Sequence, residues 1–221
     1  MAAVIGGIVV SVLAIWVAVG AVSVAGIETP AYEVVEKRDG YEVREYAPHI
    51  VAQVTMTGEF DAAMNGGFRK LADFIFGNNT SQAAGGNGAS EKVDMTAPVI
   101  EKEVKSEKIA MTAPVVEQTT EENGRVVQFV MPSTYTTATL PKPNNPDVSI
   151  VEVPKKRYAA IRFSGWMNEG KAVKRKQELR DLLKRDNAAT LGEPLLAQYN
   201  PPWTPGPMRR NEVLIELAPK P

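Results

Sequence analysis

An α+β fold is predicted for this chain: a twisted antiparallel β-barrel built from two pseudo-symmetric ββαββ-like halves with two flanking helices, plus an N-terminal transmembrane helix. Three observations carry that prediction. An uncharged apolar run opens the sequence, a strand-turn-strand-helix unit recurs at a fixed spacing, and polar/apolar alternation marks strands through most of the remainder.

From Met1 to Ile27 no side chain is charged, and the run is built largely from Ala, Val, Ile, Leu and Gly. As a helix, Ala2 to Ile27 is long enough to cross the roughly 30 Å hydrocarbon core of a bilayer. A secretory signal would place Lys or Arg ahead of a shorter apolar core, yet no basic residue precedes Lys37. An uncleaved anchor is therefore favoured over a cleaved signal peptide, although Ala21-Val22-Ser23 could pass for a cleavage site. The chain is expected to be held in a membrane by this one helix, or exported if the segment is removed. Charge on the flanks does not specify an orientation. Residues 28–221 then form one domain, large enough for a real core.

In that domain, Tyr32 to Lys37 and Tyr41 to Tyr46 alternate in polarity about Asp39-Gly40, which predicts a hairpin. A strand from His49 to Met56 follows Pro48. A helix is predicted over about Glu59 to Phe76, with Phe60, Met64, Phe68, Leu71 and Ile75 on one face and Asn65-Gly66-Gly67 interrupting it. Gly77 to Ser90 is low in complexity and reads as a mobile loop. A tandem near-duplicate follows, Glu91-Lys-Val-Asp-Met-Thr-Ala-Pro-Val and Glu107-Lys-Ile-Ala-Met-Thr-Ala-Pro-Val. In it Val93, Met95, Ala97 and Val99, then Ile109, Met111, Ala113 and Val115, alternate as in strands. Pro98 and Pro114 place a bulge or an edge in each. Arg125 to Met131 supplies a further strand.

A fainter repeat sets the architecture. Glu45 to Gly58 leads through a turn and a strand into the first helix, and Glu152 to Gly165 does the same before a second helix at about Asn168 to Arg185. The offset is 107 residues at both ends (152 − 45 and 165 − 58). Asn168 is a plausible N-cap. Leu195 to Tyr199 and Asn211 to Leu217 read as closing strands, and a crevice between the two halves would suit a ligand.

Composition narrows the chemistry. The chain has no Cys and one His, which excludes thiol catalysis, disulfides, multi-histidine metal sites and a Ser-His-Asp triad away from His49. A formal charge of −1 argues against nucleic-acid binding through a basic surface. Glu45, Glu152, Glu212 and Glu216 are candidate acids or bases, but nothing in the sequence pairs them, and no enzyme is predicted. The basic run on the second helix, from Lys171 to Arg185, reads as a solvated face or as one set against anionic headgroups.

The doubled Met-Thr-Ala-Pro-Val, the opening Tyr41-Glu-Val-Arg-Glu-Tyr, the helix entry Phe60-Asp-Ala-Ala and Tyr199-Asn-Pro-Pro-Trp-Thr-Pro-Gly-Pro-Met-Arg-Arg-Asn-Glu-Val together resemble the SOUL/haem-binding protein family over about Tyr32 to Leu217. The resemblance implies a twisted β-barrel with two helices, akin to effector-binding domains of some bacterial transcription regulators. It also implies non-covalent binding of haem or a related tetrapyrrole as cargo, without catalysis. Carried over by position, it implies an apolar pocket at Met64, Asn65, Phe68 and Leu71 on the first helix and at Met95 and Met111 on the doubled motif. Arg209 and Arg210 are candidates for the propionates. His49, the one imidazole, is the possible axial ligand of the iron. A pocket for another amphipathic small molecule is the alternative reading.

Overall fold

The computed structural model describes residues 27–82, 89–104, 124–201 and 203–219. In order, its elements are β1 (Tyr32–Arg38), β2 (Tyr41–Tyr46), β3 (His49–Thr57), α1 (Phe60–Ile75), β4 (Asn79–Thr80), β5 (Val99–Val104), β6 (Gly124–Val130), β7 (Lys142–Pro143), β8 (Ser149–Val153), β9 (Lys156–Phe163), α2 (Glu169–Arg185), β10 (Thr190–Gln198) and β11 (Asn211–Leu217). Nine strands form one sheet in the order β1-β2-β9-β11-β10-β5-β6-β3-β8, and β4 pairs with β7. Every pairing is antiparallel.

The expected twisted barrel does not close. The sheet remains open, ending at β1 and β8. The outer strand β1 carries Glu33, Glu36, Lys37 and Arg38, and its register slips between Val34 and Glu36. Charge and a bulge on an edge strand are devices that refuse a further partner. All of the expected transmembrane helix but its last residue, Ile27, falls outside the described residues, and Ile27 itself is not helical. Among the described residues no helix is long and apolar enough to cross a membrane.

The duplication is present in the sheet order. The two ββαββ units are β2-β3-α1-β5-β6 and β8-β9-α2-β10-β11, and exchanging them reverses the order from β2 to β8 without altering it. Each unit gives away its first strand: β2 pairs with β9, and β8 with β3. The registers of these exchanged pairs agree residue for residue at the offset of 107. Glu42 opposite Ala160 becomes Ser149 opposite Gln53, and Tyr46 opposite Lys156 becomes Val153 opposite His49. Gly58 and Gly165, also 107 apart, both turn the chain toward its helix with positive φ, +96° and +100°, which L side chains rarely adopt.

The strand alternation sends side chains to two faces. On the helix-covered face, α1 packs Leu71, Phe74 and Ile75 on Val54, Val127 and Phe129, while α2 packs Leu179 and Leu183 on Ile161, Val213 and Ile215. The helix-free face gathers Tyr46, Val51, Tyr158, Tyr199 and Leu214, with Ile27 and Tyr32 against it. Helix α2 starts as expected, with the Asn168 side chain accepting from the Lys171 backbone N–H at 2.9 Å.

The doubled motif differs from its expectation. Glu91 to Pro98 is irregular, Met95 is exposed, and the ladder begins only at Val99, because Pro98 has no N–H to donate. The second copy, with Met111, lies outside the described residues. The expected mobile loop after α1 is tied down at its ends. Buried Asn79 donates to the Phe74 and Glu91 carbonyls, both at 2.7 Å, and Ser81 N–H donates to the Ala89 carbonyl at 2.8 Å.

Candidate functional site

A cleft of about 640 Å³ opens where β8 of the second unit meets β3 of the first. Its walls are the N-terminal stretch Glu28–Ala31, the turn Ala47–His49, Ile50, Thr96, the segment from Val130 to Thr137, and Glu152–Pro154 at the end of β8. The volume lies within the range of small-molecule sites. Pro30, Pro48, Ile50, Val130, Met131, Pro132, Val153 and Pro154 make the lining largely apolar.

Backbone bonds hold the walls together. Glu28 carbonyl accepts from Ala97 N–H at 2.9 Å, Ala31 carbonyl from Ala47 N–H at 3.0 Å, and Ile50 carbonyl from Met131 N–H at 2.8 Å. Thr96 is buried, and its hydroxyl donates to the Val130 carbonyl. His49 stands on the wall with Nδ1 2.9 Å from the Ala47 carbonyl. A neutral imidazole donating through Nδ1 keeps its lone pair on Nε2, the arrangement that a nitrogen ligand to a metal requires. Among the described residues, the charged side chains of the lining are two carboxylates, with no Lys or Arg. Glu28 accepts from Ser133 N–H, and Glu152 from the Thr137 hydroxyl, each at 2.9 Å. Tyr135 donates to Glu91 at 3.0 Å; burial first, then that bond, raises its pKa.

Two further polar clusters occupy the sheet. On the helix-free face, Glu212, with no exposed surface, accepts from Arg44 at 2.7 Å, from Tyr199 at 2.8 Å and from Arg210 at 3.0 Å. Burial works against the Arg44 charge, yet Glu212 holds its pKa above the ordinary value. Burial, followed by the Glu212 charge, pushes the Tyr199 phenol up as well. On the other face Glu101, equally buried, bonds Lys176 of α2 at 2.9 Å and Arg125 at 3.1 Å. Both clusters pair their charges internally, as buried ions must.

The SOUL heme-binding protein model matches this sequence over residues 27–106 and 100–216, which together take in nearly all of it beyond the apolar run. The chain belongs to the SOUL heme-binding protein family. No curated protein matches it in sequence. Among solved structures, the C-terminal domain of EcmrR is similar over 86% of this chain and 99% of that one, at 10% identity and a TM-score of 0.50. EcmrR in the EcmrR-DNA complex is similar over 81% of this chain and 57% of that one, at 9% identity and a TM-score of 0.55. At such identities the likeness is of fold alone.

The residues that the SOUL resemblance implies are scattered in this structure. Leu71 is wholly buried beneath α1, and Phe68 packs edge-on against Phe129 with ring centroids 5.2 Å apart. Met64 is partly buried between the two helix-covered cores, and Asn65 is exposed. The adjoining glycines serve close packing: a Cβ on Gly67 would sit 2.6 Å from Val127, and one on Gly66 2.7 Å from Met56. Arg209 donates to the Thr204 and Pro201 carbonyls and stacks 3.9 Å over Trp166, while Arg210 is bound to Glu212 and stacks 3.9 Å over Tyr199. Burial lowers the Arg209 pKa. Of the named residues that are described, His49 alone lines the cleft. Glu28, Tyr135 and Thr137 went unnoticed in the sequence, because they come from coil segments with no periodicity and meet only through the strand exchange.

On α2, Lys171 reaches the Ser164 and Trp166 carbonyls, Arg175 pairs with Glu178, Lys176 with Glu101, Arg180 with Glu193, and Arg185 with Asp39 and Asp186. Most of the basic run is thus spent within the molecule.

Proposed function

We propose that this chain binds haem or a related tetrapyrrole as non-covalent cargo in the cleft beside His49, from a domain tethered to a membrane by residues 2–27. The observation that carries this reading is the position of the single imidazole on the wall of an apolar cleft in a chain of this family. Nε2 of His49 would supply the axial nitrogen, and Ile50, Met131, Val153 and the surrounding prolines a flat apolar wall. With Glu28 and Glu152 inside, the macrocycle's own carboxylates would point outward to solvent, since like charges at close range repel. The tether is supported by the uncharged length of the run.

A second reading is favoured by one feature. Two carboxylates and no cation among the described residues of the lining suit a neutral or cationic amphipathic molecule better than an anionic one. Titrating the full-length chain in detergent with haemin separates the two. A saturable Soret shift at micromolar haemin is expected, and its absence would promote the second reading. His49→Ala should move the Soret maximum if the imidazole binds iron. An unchanged spectrum removes His49 from the site.

A further inference from the structure

The strand registers bring separate stretches of the chain to one end of the sheet. Val99 at the start of β5 lies opposite Gln198 at the end of β10, Gln198 opposite Asn211 at the start of β11, and Asn211 opposite Phe163 at the end of β9. Glu28 is bonded to Ala97, just before β5. Glu28, the first residue after the apolar run, therefore lies on the side of the loop that joins β10 to β11 and of the turn that leads into α2. At about 4.8 Å per strand, four steps put these features within roughly 20 Å of one another.

That loop and turn carry indoles turned outward. Trp166 is 53% exposed and Trp203 56%, and Met208 adds to them at 38%. They belong to one cluster. Arg209 stacks on Trp166 and bonds the Thr204 and Pro201 carbonyls on either side of Trp203, and Gly165 N–H donates to the Gly206 carbonyl at 2.9 Å. The turn also holds an insertion. The strands repeat at 107, but the helix caps Glu59 and Asn168 are 109 apart, so the second unit has two extra residues between Gly165 and its cap. A two-residue addition that ends by displaying an indole is not needed to start a helix, because the first unit starts α1 without it.

We propose that Trp166, Trp203 and Met208 form a docking surface for the interfacial layer of a lipid bilayer, next to the membrane entry of the chain. Indoles favour that layer, where an apolar ring and a polar N–H are both accommodated. The partner is a zwitterionic or mixed membrane rather than a strictly anionic one, because the α2 cations are mostly paired within the molecule. The cleft opens at this same end, as Glu28 and Thr96 line it. A ligand could then pass between lipid and cleft without crossing open water. This inference rests on the tether proposed above.

The test uses the full chain carrying Trp16→Phe, which leaves Trp166 and Trp203 as its only indoles. The protein is reconstituted into phosphatidylcholine vesicles, floated, and compared in ordinary and brominated phosphatidylcholine. The proposal expects the floated protein to lose about half its indole fluorescence to brominated lipid, and both Trp166→Phe and Trp203→Phe on that background to retain quenching of the remaining indole. Floated protein whose indoles ignore bromine but remain open to acrylamide overturns the docking while leaving the tether standing. Indoles shielded from both quenchers would mean a protein covers the patch, and would overturn it too. Failure to float overturns tether and docking together.

Discussion

The two halves of this molecule share a backbone and differ in chemistry. In the first, α1 lies close on the sheet through Gly67 against Val127, and the start of β3 places His49 on an open cleft. In the second, the helix position matching Gly67 at the offset of 109 is Lys176, whose ammonium is buried against Glu101. The strand position matching His49 at 107 is Lys156, paired with Glu216 at 2.6 Å. Duplication preserved the hydrogen-bond register, which every pair in a sheet depends on, and left the side chains free to diverge.

The comparison can be broken at its buried charges first. Lys176→Met should cost about 3 kcal/mol in denaturant unfolding, because Glu101 loses a cation where it has no water. Glu101→Leu combined with Lys176→Met should recover most of that loss, and a double mutant as unstable as the single would show that the pair does more than satisfy itself. In the first half the matching test is Gly67→Ala. Helix propensity alone would make it stabilising by about 1 kcal/mol. The 2.6 Å approach to Val127 should turn that into a net loss of about 1–2 kcal/mol, since the added methyl forces α1 off the sheet.

The strand positions give smaller effects. Lys156→Ala should cost under about 1 kcal/mol, as expected for a half-exposed pair. His49→Ala should leave stability within about 0.5 kcal/mol while changing the haem spectrum.

The helix-free face makes a prediction about pH. Burial raises the phenols of Tyr46, Tyr158 and Tyr199 above their ordinary 10.0. The folded chain therefore keeps protons that the unfolded chain releases, so their contribution is complete below pH 10 and declines as pH rises beyond it. Absorbance at alkaline pH should show these phenols ionising together with unfolding; independent titration near 10 would place them in solvent.

Most of the fold could be read from the sequence, and the reasons are visible in particular residues. Asp39-Gly40, Gly58, Gly165 and Asn168 each impose a local conformation that neighbours do not override, and β11 has the ends expected of it. The strand exchange was not legible, because β2 and β3 read as neighbours in sequence but do not pair: β2 lies between β1 and β9, and β3 between β6 and β8. The same nonlocality hid the cleft. The apolar stripe along α1 is largely core, whereas the residues around His49 include prolines, threonines and a glutamate from coil. Pairings such as Arg210 with Glu212 consume charges that looked free in the sequence.

The claim most exposed to test is that the ligand sits at the end of the sheet beside His49 and not against α1. Hydrogen exchange of the full chain with and without haemin addresses it directly. Protection concentrated at residues 28–31, 47–50 and 130–137 is the predicted result. Protection confined to residues 60–75, with those three stretches unchanged, would contradict it.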